Sequence, residues 1–228
     1  MKLNKIFDHT LLKPDAEPRQ IVQLCREAKA LDFYAVCVGS SFVETAAEEL
    51  AGCDVKIAAV AGFPLGTCTT ETKRVEAEQA CRCGASEIDM VLHIGMLRSG
   101  DYDYVFRDIQ EVVCTAEKYG AIVKVILETG LLSDDEIVKG CRIAEDAGAR
   151  FVKTSTGFLA PGADVHAVKL MKETVGGRLL VKASGGIRSY AAVKQMLQAG
   201  ADRIGASASV SIMQEAAERE CRKIINNG

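Results

Sequence analysis

Several missing features narrow the function of this chain before any motif is read. It has no excess of positive charge: 28 Lys and Arg against 31 Asp and Glu give a net charge of −3, which argues against a nucleic-acid partner. No apolar run reaches the length needed to span a bilayer, so no membrane partner is expected. Residues Met1 to Leu12 include Asp8 and His9 and lack a basic stretch leading into an apolar one. No secretion signal is therefore visible, and a cytoplasmic enzyme is the expectation. Nine cysteines is an odd number, scattered along the chain and partly within helical patterns, where a thiol behaves as a small apolar group rather than half of a disulfide framework. Cys81-Arg-Cys83 has no histidine or second pair at zinc spacing, and the three histidines, His9, His93 and His166, form no ligand grouping, so no metal is expected. No Gly-x-Gly-x-x-Gly follows an early strand, which counts against a dinucleotide-binding sheet. No linker or low-complexity stretch divides residues 1–228, which read as a single domain.

What is present is alternation. Short β-branched runs alternate with longer stretches of helical periodicity, the pattern of βα units around a parallel sheet. Strands are expected at Ile6–Thr10, Ala35–Val38, Val55–Ala61, Glu87–Leu92, Ile122–Leu127, Phe151–Thr154, Leu179–Ala183 and Arg203–Gly205. Helices are expected at Pro18–Leu31, Ser40–Leu50, Glu71–Cys83, Tyr102–Tyr119, from a cap at Ser133 to Ala147, and at Asp164–Thr174, Ser189–Ala199 and Ser207–Ile225. In the first of these, Ile21, Leu24, Cys25, Ala28 and Leu31 fall on one face. Ser133 with Glu136 forms a capping box. Three junctions share one signature: Cys83-Gly-Ala-Ser86, Ala147-Gly-Ala-Arg150 and Ala199-Gly-Ala-Asp202. Eight strands, eight helices and a recurring junction favour a closed (β/α)8 TIM barrel over an open doubly wound sheet.

A barrel of this kind builds its active site at the C-terminal ends of its strands. The polar residues in or just after strands are Asp8, Thr10, Cys37, Asp89, Lys124, Glu128, Lys153, Lys182, Ser184 and Ser207. Lys153 and Lys182 each follow an apolar pair on adjacent strands and would point into one mouth. A lysine of ordinary pKa, about 10.4, is neutral in roughly one molecule in 2,500 at pH 7. A second cation nearby and partial burial raise that fraction. Lys153 thus reads as a nucleophilic amine, Lys182 as its activator and Asp89 as the carboxylate that moves protons. The plainer alternatives are a surface lysine at a strand end and a structural Lys182–Asp89 ion pair. The glycine turn Ala183-Ser-Gly-Gly-Ile-Arg188 and the segment Ile204-Gly-Ala-Ser207 occupy the places where barrels commonly hold phosphate. Gly185-Gly186 could equally be an ordinary turn. Cys37 reads as pocket lining, and Glu128 either orients a lysine or caps a loop.

Five collinear motifs, within a match that runs from residue 8 to about 209, closely resemble the deoxyribose-phosphate aldolase family. They are Asp8-His-Thr-Leu-Leu-Lys13, Gly62-Phe-Pro-Leu-Gly66, Glu87-Ile-Asp-Met-Val91, Val152-Lys-Thr-Ser-Thr-Gly157 and Val181-Lys-Ala-Ser-Gly-Gly-Ile-Arg188. The resemblance implies a class I aldolase that reversibly cleaves 2-deoxy-D-ribose 5-phosphate to D-glyceraldehyde 3-phosphate and acetaldehyde, using neither metal nor other cofactor. It implies that Lys153 forms the Schiff base, Lys182 lowers its pKa and Asp89 exchanges protons. By the same likeness Gly185, Gly186, Gly205 and Ser207 bind phosphate, while Asp8 and Thr10 help hold the sugar hydroxyls; Cys37 and Thr154 join the expected substrate-site lining from their places on and beside the strands. The family is often dimeric, so a homodimer is the assembly it suggests. The chain departs from the family pattern at three places. His93 stands where Asn is usual. Ala206 and Ser209 replace a hydroxyl residue and a glycine, and Ser209 could crowd a phosphate. Phe158 stands where some relatives carry a lysine. Two other functions fit these residues: a class I aldolase for a different aldehyde or sugar phosphate, and a barrel that binds sugar phosphates without cleaving them.

Overall fold

A computed structural model describes residues 2–227, with side chains through Cys221; Met1 and Gly228 lie outside the described residues. Eight parallel strands close on themselves in chain order: β1 (Phe7–Leu11), β2 (Ala35–Val38), β3 (Lys56–Ala61), β4 (Glu87–Val91), β5 (Ile122–Ile126), β6 (Phe151–Lys153), β7 (Leu180–Ser184) and β8 (Arg203–Ala206). β8 pairs back onto β1 through Phe7–Ile204, Asp8–Gly205 and His9–Ala206, which leaves no sheet edge. The (β/α)8 barrel expected from the alternation is the fold observed.

The described helices are α1 (Pro18–Ala30), α2 (Val43–Glu49), α3 (Thr70–Arg82), α4 (Ile94–Ser99), α5 (Tyr102–Glu117), α6 (Asp134–Asp146), α7 (Val165–Val175), α8 (Tyr190–Gln198) and α9 (Ser209–Asn227). Their placement follows local chemistry. Pro18 starts α1 at a position where its missing N–H costs nothing, and the buried stripe Ile21, Leu24, Cys25 and Ala28 faces the sheet. Each such fully buried Ile or Leu contributes about 1.5–3 kcal/mol. The capping box at Ser133 and Glu136 is formed. The three repeated junctions behave alike. The amides of Ala85, Ala149 and Ala201 bond back to the carbonyls of Ala80, Ala144 and Met196. Gly84, Gly148 and Gly200 take the positive φ that this reversal requires.

The departures from the expected elements are local. α4 was not foreseen: it has six residues and buries only Leu97, too little for a periodic stripe. The helix expected from Ser40 opens as a 3-10 turn, Ser40–Phe42, before α2 begins. α9 starts at Ser209, so Ser207 lies just ahead of it rather than at its first position. β6 ends at Lys153, which leaves Thr154 in the loop beyond.

The main apolar core lies between the barrel and its helices and joins residues from Ile6 to Ile212. Inside the barrel the apolar filling includes the separate cluster Cys37, Ala58 and Val60, with Leu12 and Phe63 against it. Much of the remaining interior is charged.

Candidate active site

Three lysines and two aspartates meet inside the barrel. Lys153 Nζ donates to Asp89 Oδ2 at 2.8 Å, and Lys182 Nζ donates to the same oxygen at 2.7 Å. Lys124 Nζ reaches Asp89 Oδ1 at 2.6 Å. Lys182 also donates to Asp8 Oδ2 at 2.5 Å. Deeper in the barrel, Glu87 bonds Lys124 at 2.5 Å and lies 3.4 Å from Arg203, whose guanidinium contacts Asp8 Oδ1 at 2.8 Å. Strand register explains the gathering. Lys153 pairs with Lys182, Lys182 with Arg203 and Asp89 with Lys124, so these side chains leave neighbouring strands on the inner face. Each is a charge taken out of water, costly unless partners replace the solvent.

The partners divide the charges unequally. Burial pushes the Lys153 amine below the ordinary lysine range, Asp89 opposes this and Lys182 reinforces it; the net direction is down. For Lys182 burial acts the same way, but Asp8 and Asp89 outweigh it and hold the amine well above that range. Lys124 is likewise raised, burial being overcome by Asp89 and Glu87. Asp89 is held well below the usual carboxylate range: burial alone would raise it, and Lys124, Lys153 and Lys182 reverse that. Asp8 falls to about 2, with Lys182, Lys124 and Arg203 overcoming burial. Of the buried lysines here, Lys153 alone is pushed toward the neutral, nucleophilic form.

Lys153 is also the member of this cluster that lines a cavity. The cavity, about 190 Å³, is bordered by Thr10, Lys153, Gly185, Gly186, Gly205 and Ser207 of the expected site, together with Leu12, Lys13, Phe158, Ser184 and Arg188. Lys13 and Arg188 are exposed and have no ion-pair partner among the described residues. Gly205 leaves room for the charges beneath it: a Cβ there would stand 2.9 Å from Lys182 Cε. The turn at Gly185 is held from one side, since the Ala163 amide donates to the carbonyls of Ser184 and Gly185 at 3.1 and 3.0 Å.

Other expected site residues are placed differently. Asp8 is buried in the charge network and does not border the cavity. Thr154 is buried too: its hydroxyl donates to the Ser184 carbonyl at 2.9 Å and accepts from the Ser184 amide at 3.0 Å, bolting β6 to β7. Cys37 is buried in the inner apolar cluster, its thiol raised by burial. Ser209 does not reach the cavity; it is buried and donates to the Ala206 carbonyl at 2.8 Å, so its side chain is not positioned to crowd an anion there. His93 caps α4 by accepting from the Met96 amide at 3.3 Å, a task that Asn also performs. Glu128 caps a loop, accepting from the Thr156 amide at 3.0 Å. Among the described residues, no group of three or more His, Cys, Asp or Glu is placed to hold a metal ion.

The profile of the DeoC/LacD family aldolases matches residues 3–221. The chain belongs to the DeoC/LacD aldolase family. Within that family it is 56% identical over 216 residues to the deoxyribose-phosphate aldolase of Caldanaerobacter subterraneus subsp. tengcongensis, covering 94% of each chain. It is 54% identical over 214 residues to the deoxyribose-phosphate aldolase of Streptococcus sanguinis, covering 94% of this chain and 96% of the relative. Among solved structures, the tetrameric deoxyribose phosphate aldolase of Aeropyrum pernix superposes with a TM-score of 0.86 at 36% identity, covering 93% of this chain and 89% of that one.

Glu87 and Arg203 are members of the cluster that the sequence reading leaves out of the site, and Lys124 is one it names among the strand-borne polar residues without giving it a role. The signal was present: Lys124 is a single charge in the middle of the apolar strand Ile122-Val-Lys-Val-Ile126, and Glu87 precedes Asp89 by two residues on β4. Alternation puts both on the inner face.

Proposed function

We propose that this chain is a class I aldolase that reversibly cleaves 2-deoxy-D-ribose 5-phosphate to D-glyceraldehyde 3-phosphate and acetaldehyde, with Lys153 forming the Schiff base. The observation that carries the reading is a buried amine, pushed toward its neutral form, that borders a cavity while touching a carboxylate held anionic. The relatives' names supply the substrate, and the site fits it. In the proposed sequence, neutral Lys153 adds to the C1 carbonyl of the open-chain sugar, and loss of water leaves an iminium. That cation draws the C2–C3 bonding pair toward nitrogen as the C3 hydroxyl gives up its proton, releasing glyceraldehyde 3-phosphate and an enamine. Protonation of the enamine at C2 and hydrolysis free acetaldehyde and regenerate the amine. Asp89, shared between Lys153 and Lys182, is placed to pass protons at these steps.

The phosphate would rest on backbone amides of the Gly185–Gly186 turn and near Gly205 and Ser207, with Arg188 and Lys13 supplying charge where Phe158 supplies none. We read residues 1–228 as one catalytic domain. No helix among the described residues is long and apolar enough to cross a membrane; a cytoplasmic location is our reading, as a phosphorylated sugar stays inside the cell that makes it. Self-association is expected as well, and sizing in solution fixes whether it stops at a dimer or reaches the tetramer described for the A. pernix protein.

A coupled assay of glyceraldehyde 3-phosphate release tests the reading. Turnover that disappears in Lys153→Leu, a folded protein by circular dichroism, is the expected result. Cleavage that survives this substitution would remove the Schiff-base mechanism. A wild-type protein that binds the sugar phosphate and never cleaves it would leave only the binder.

A further inference from the structure

The charged interior of the barrel holds more basic groups than acidic ones. The charged or titratable groups that face one another there come from seven of the eight strands. They are Asp8 on β1, Cys37 on β2, Glu87 and Asp89 on β4, Lys124 on β5, Lys153 on β6, Lys182 on β7 and Arg203 on β8. β3 contributes apolar Ala58 and Val60 there, and Lys56, on the same face two residues earlier, is exposed to solvent at the start of the strand. Tyr34 stacks beneath Arg203, its ring centre 3.5 Å from the guanidinium carbon. Three carboxylates therefore face four basic groups. If Lys124, Lys182 and Arg203 carry charge, the three carboxylates are already balanced, and Lys153 is the one group whose protonation would leave an unbalanced buried cation.

We propose that Lys124 and Glu87 are positioning residues that set this charge balance and thereby the reactivity of Lys153, although neither borders the substrate cavity. The inference rests on the reading of Lys153 as the Schiff-base lysine. Geometry supports it. Lys124 is fully buried, takes Asp89 Oδ1 at 2.6 Å and Glu87 at 2.5 Å, and lies 3.8 Å from Asp8. It therefore occupies one oxygen of Asp89 and leaves the other to be shared by Lys153 and Lys182. Without Lys124 a carboxylate is left over, and the group able to neutralise it is Lys153, which would take up a proton. Without the Glu87 charge a cation is left over, and Lys153 would be held neutral more strongly. The two substitutions act in opposite directions, and together they restore the balance.

The test is the pH dependence of the initial rate at which borohydride and acetaldehyde label Lys153, followed by peptide mass. It compares wild type, Lys124→Met, Glu87→Gln, the double variant and Lys124→Arg. Lys124→Met should move the limb to higher pH by about one to two units, from unit charges interacting across a protein interior. Glu87→Gln should move it to lower pH by about one unit on the same basis. The double variant and Lys124→Arg should return it near the wild-type position. A residue that merely fills space would move amplitude and stability but not the limb, and two such losses would compound rather than cancel. A limb at the same pH in all five proteins overturns the inference, as does a shift of both single variants in one direction. If Lys124→Met does not fold, Glu87→Gln decides alone: a downward shift supports the proposal and none, or an upward one, refutes it. Wild type unlabelled at Lys153 at every pH would overturn the aldolase reading itself, whereas labelling with an unmoved limb would sink only the charge-balance claim.

Discussion

Replacing Lys182 with methionine keeps the length of the side chain and removes its charge. Lys153 and Lys182 donate to the same Asp89 oxygen at 2.8 and 2.7 Å, so their nitrogens are at most 5.5 Å apart. Two unit charges at that separation, at an effective dielectric constant of about 20, repel by about 3 kcal/mol, or about two pH units. Removing Lys182 also leaves Asp8 and Asp89 with one cation fewer, which acts in the same direction. The Lys153 pKa should therefore rise by about two units, and the neutral fraction at pH 7 should fall about a hundredfold. Above both the old and the new pKa the amine is neutral in either protein, so the deficit in cleavage rate should be smaller at pH 10 than at pH 7. The assay is glyceraldehyde 3-phosphate release by both proteins across that range, with circular dichroism at each pH. A deficit of the same size at pH 7 and pH 10 would show that Lys182 acts by some route other than its charge on Lys153.

Other substitutions probe the frame around this pair. Gly205→Ala puts a Cβ 2.9 Å from Lys182 Cε and 3.0 Å from Ser184 Cβ; the displaced lysine should cost about ten- to a hundredfold in kcat, a misplacement effect, and an unchanged kcat would contradict the packing argument. Thr154→Val keeps shape but strands the buried Ser184 amide, while the Ser184 carbonyl keeps the Ala163 amide; urea unfolding should show a loss of about 1–3 kcal/mol, and no loss would mean the bolt is redundant. Lys73 and Asp108 form a fully buried ion pair at 2.5 Å between α3 and α5. Lys73→Met should cost about 3–5 kcal/mol by leaving that aspartate uncompensated, read from the urea midpoint. Asp8, with a folded pKa of about 2 against a reference of 3.8, should stabilise the fold by about 2 kcal/mol above pH 4 and lose that contribution as pH falls toward 2. Asp8→Asn should flatten this acid limb, and an unaltered slope would assign acid unfolding to other groups.

The barrel was legible because its signals repeat. Eight apolar runs, helical stripes such as Ile21-Leu24-Cys25-Ala28 and three Gly-Ala junctions each point to the same βα unit. Short elements were not legible: α4 buries one leucine, and the 3-10 turn at Ser40 looks like the start of a helix. The site was read in part. Lys153, Lys182 and Asp89 stood out as charges at strand ends, and the structure brings them together on one carboxylate oxygen. Depth within the barrel was not readable, because it depends on stagger between strands that are far apart in sequence. Asp8 therefore looked like a mouth residue and lies in the buried network, Arg203 looked like the start of a strand and contacts Asp8, and Thr154 looked available to substrate and is spent on Ser184.

One amine carries the chemistry. Acetaldehyde and borohydride, applied to the wild-type protein and followed by digestion and mass spectrometry, should place a single ethyl group on the peptide containing Lys153, and Lys153→Leu should carry none. An ethyl group found instead on Lys182 or Lys124, or cleavage activity in a protein that cannot be labelled, would contradict it.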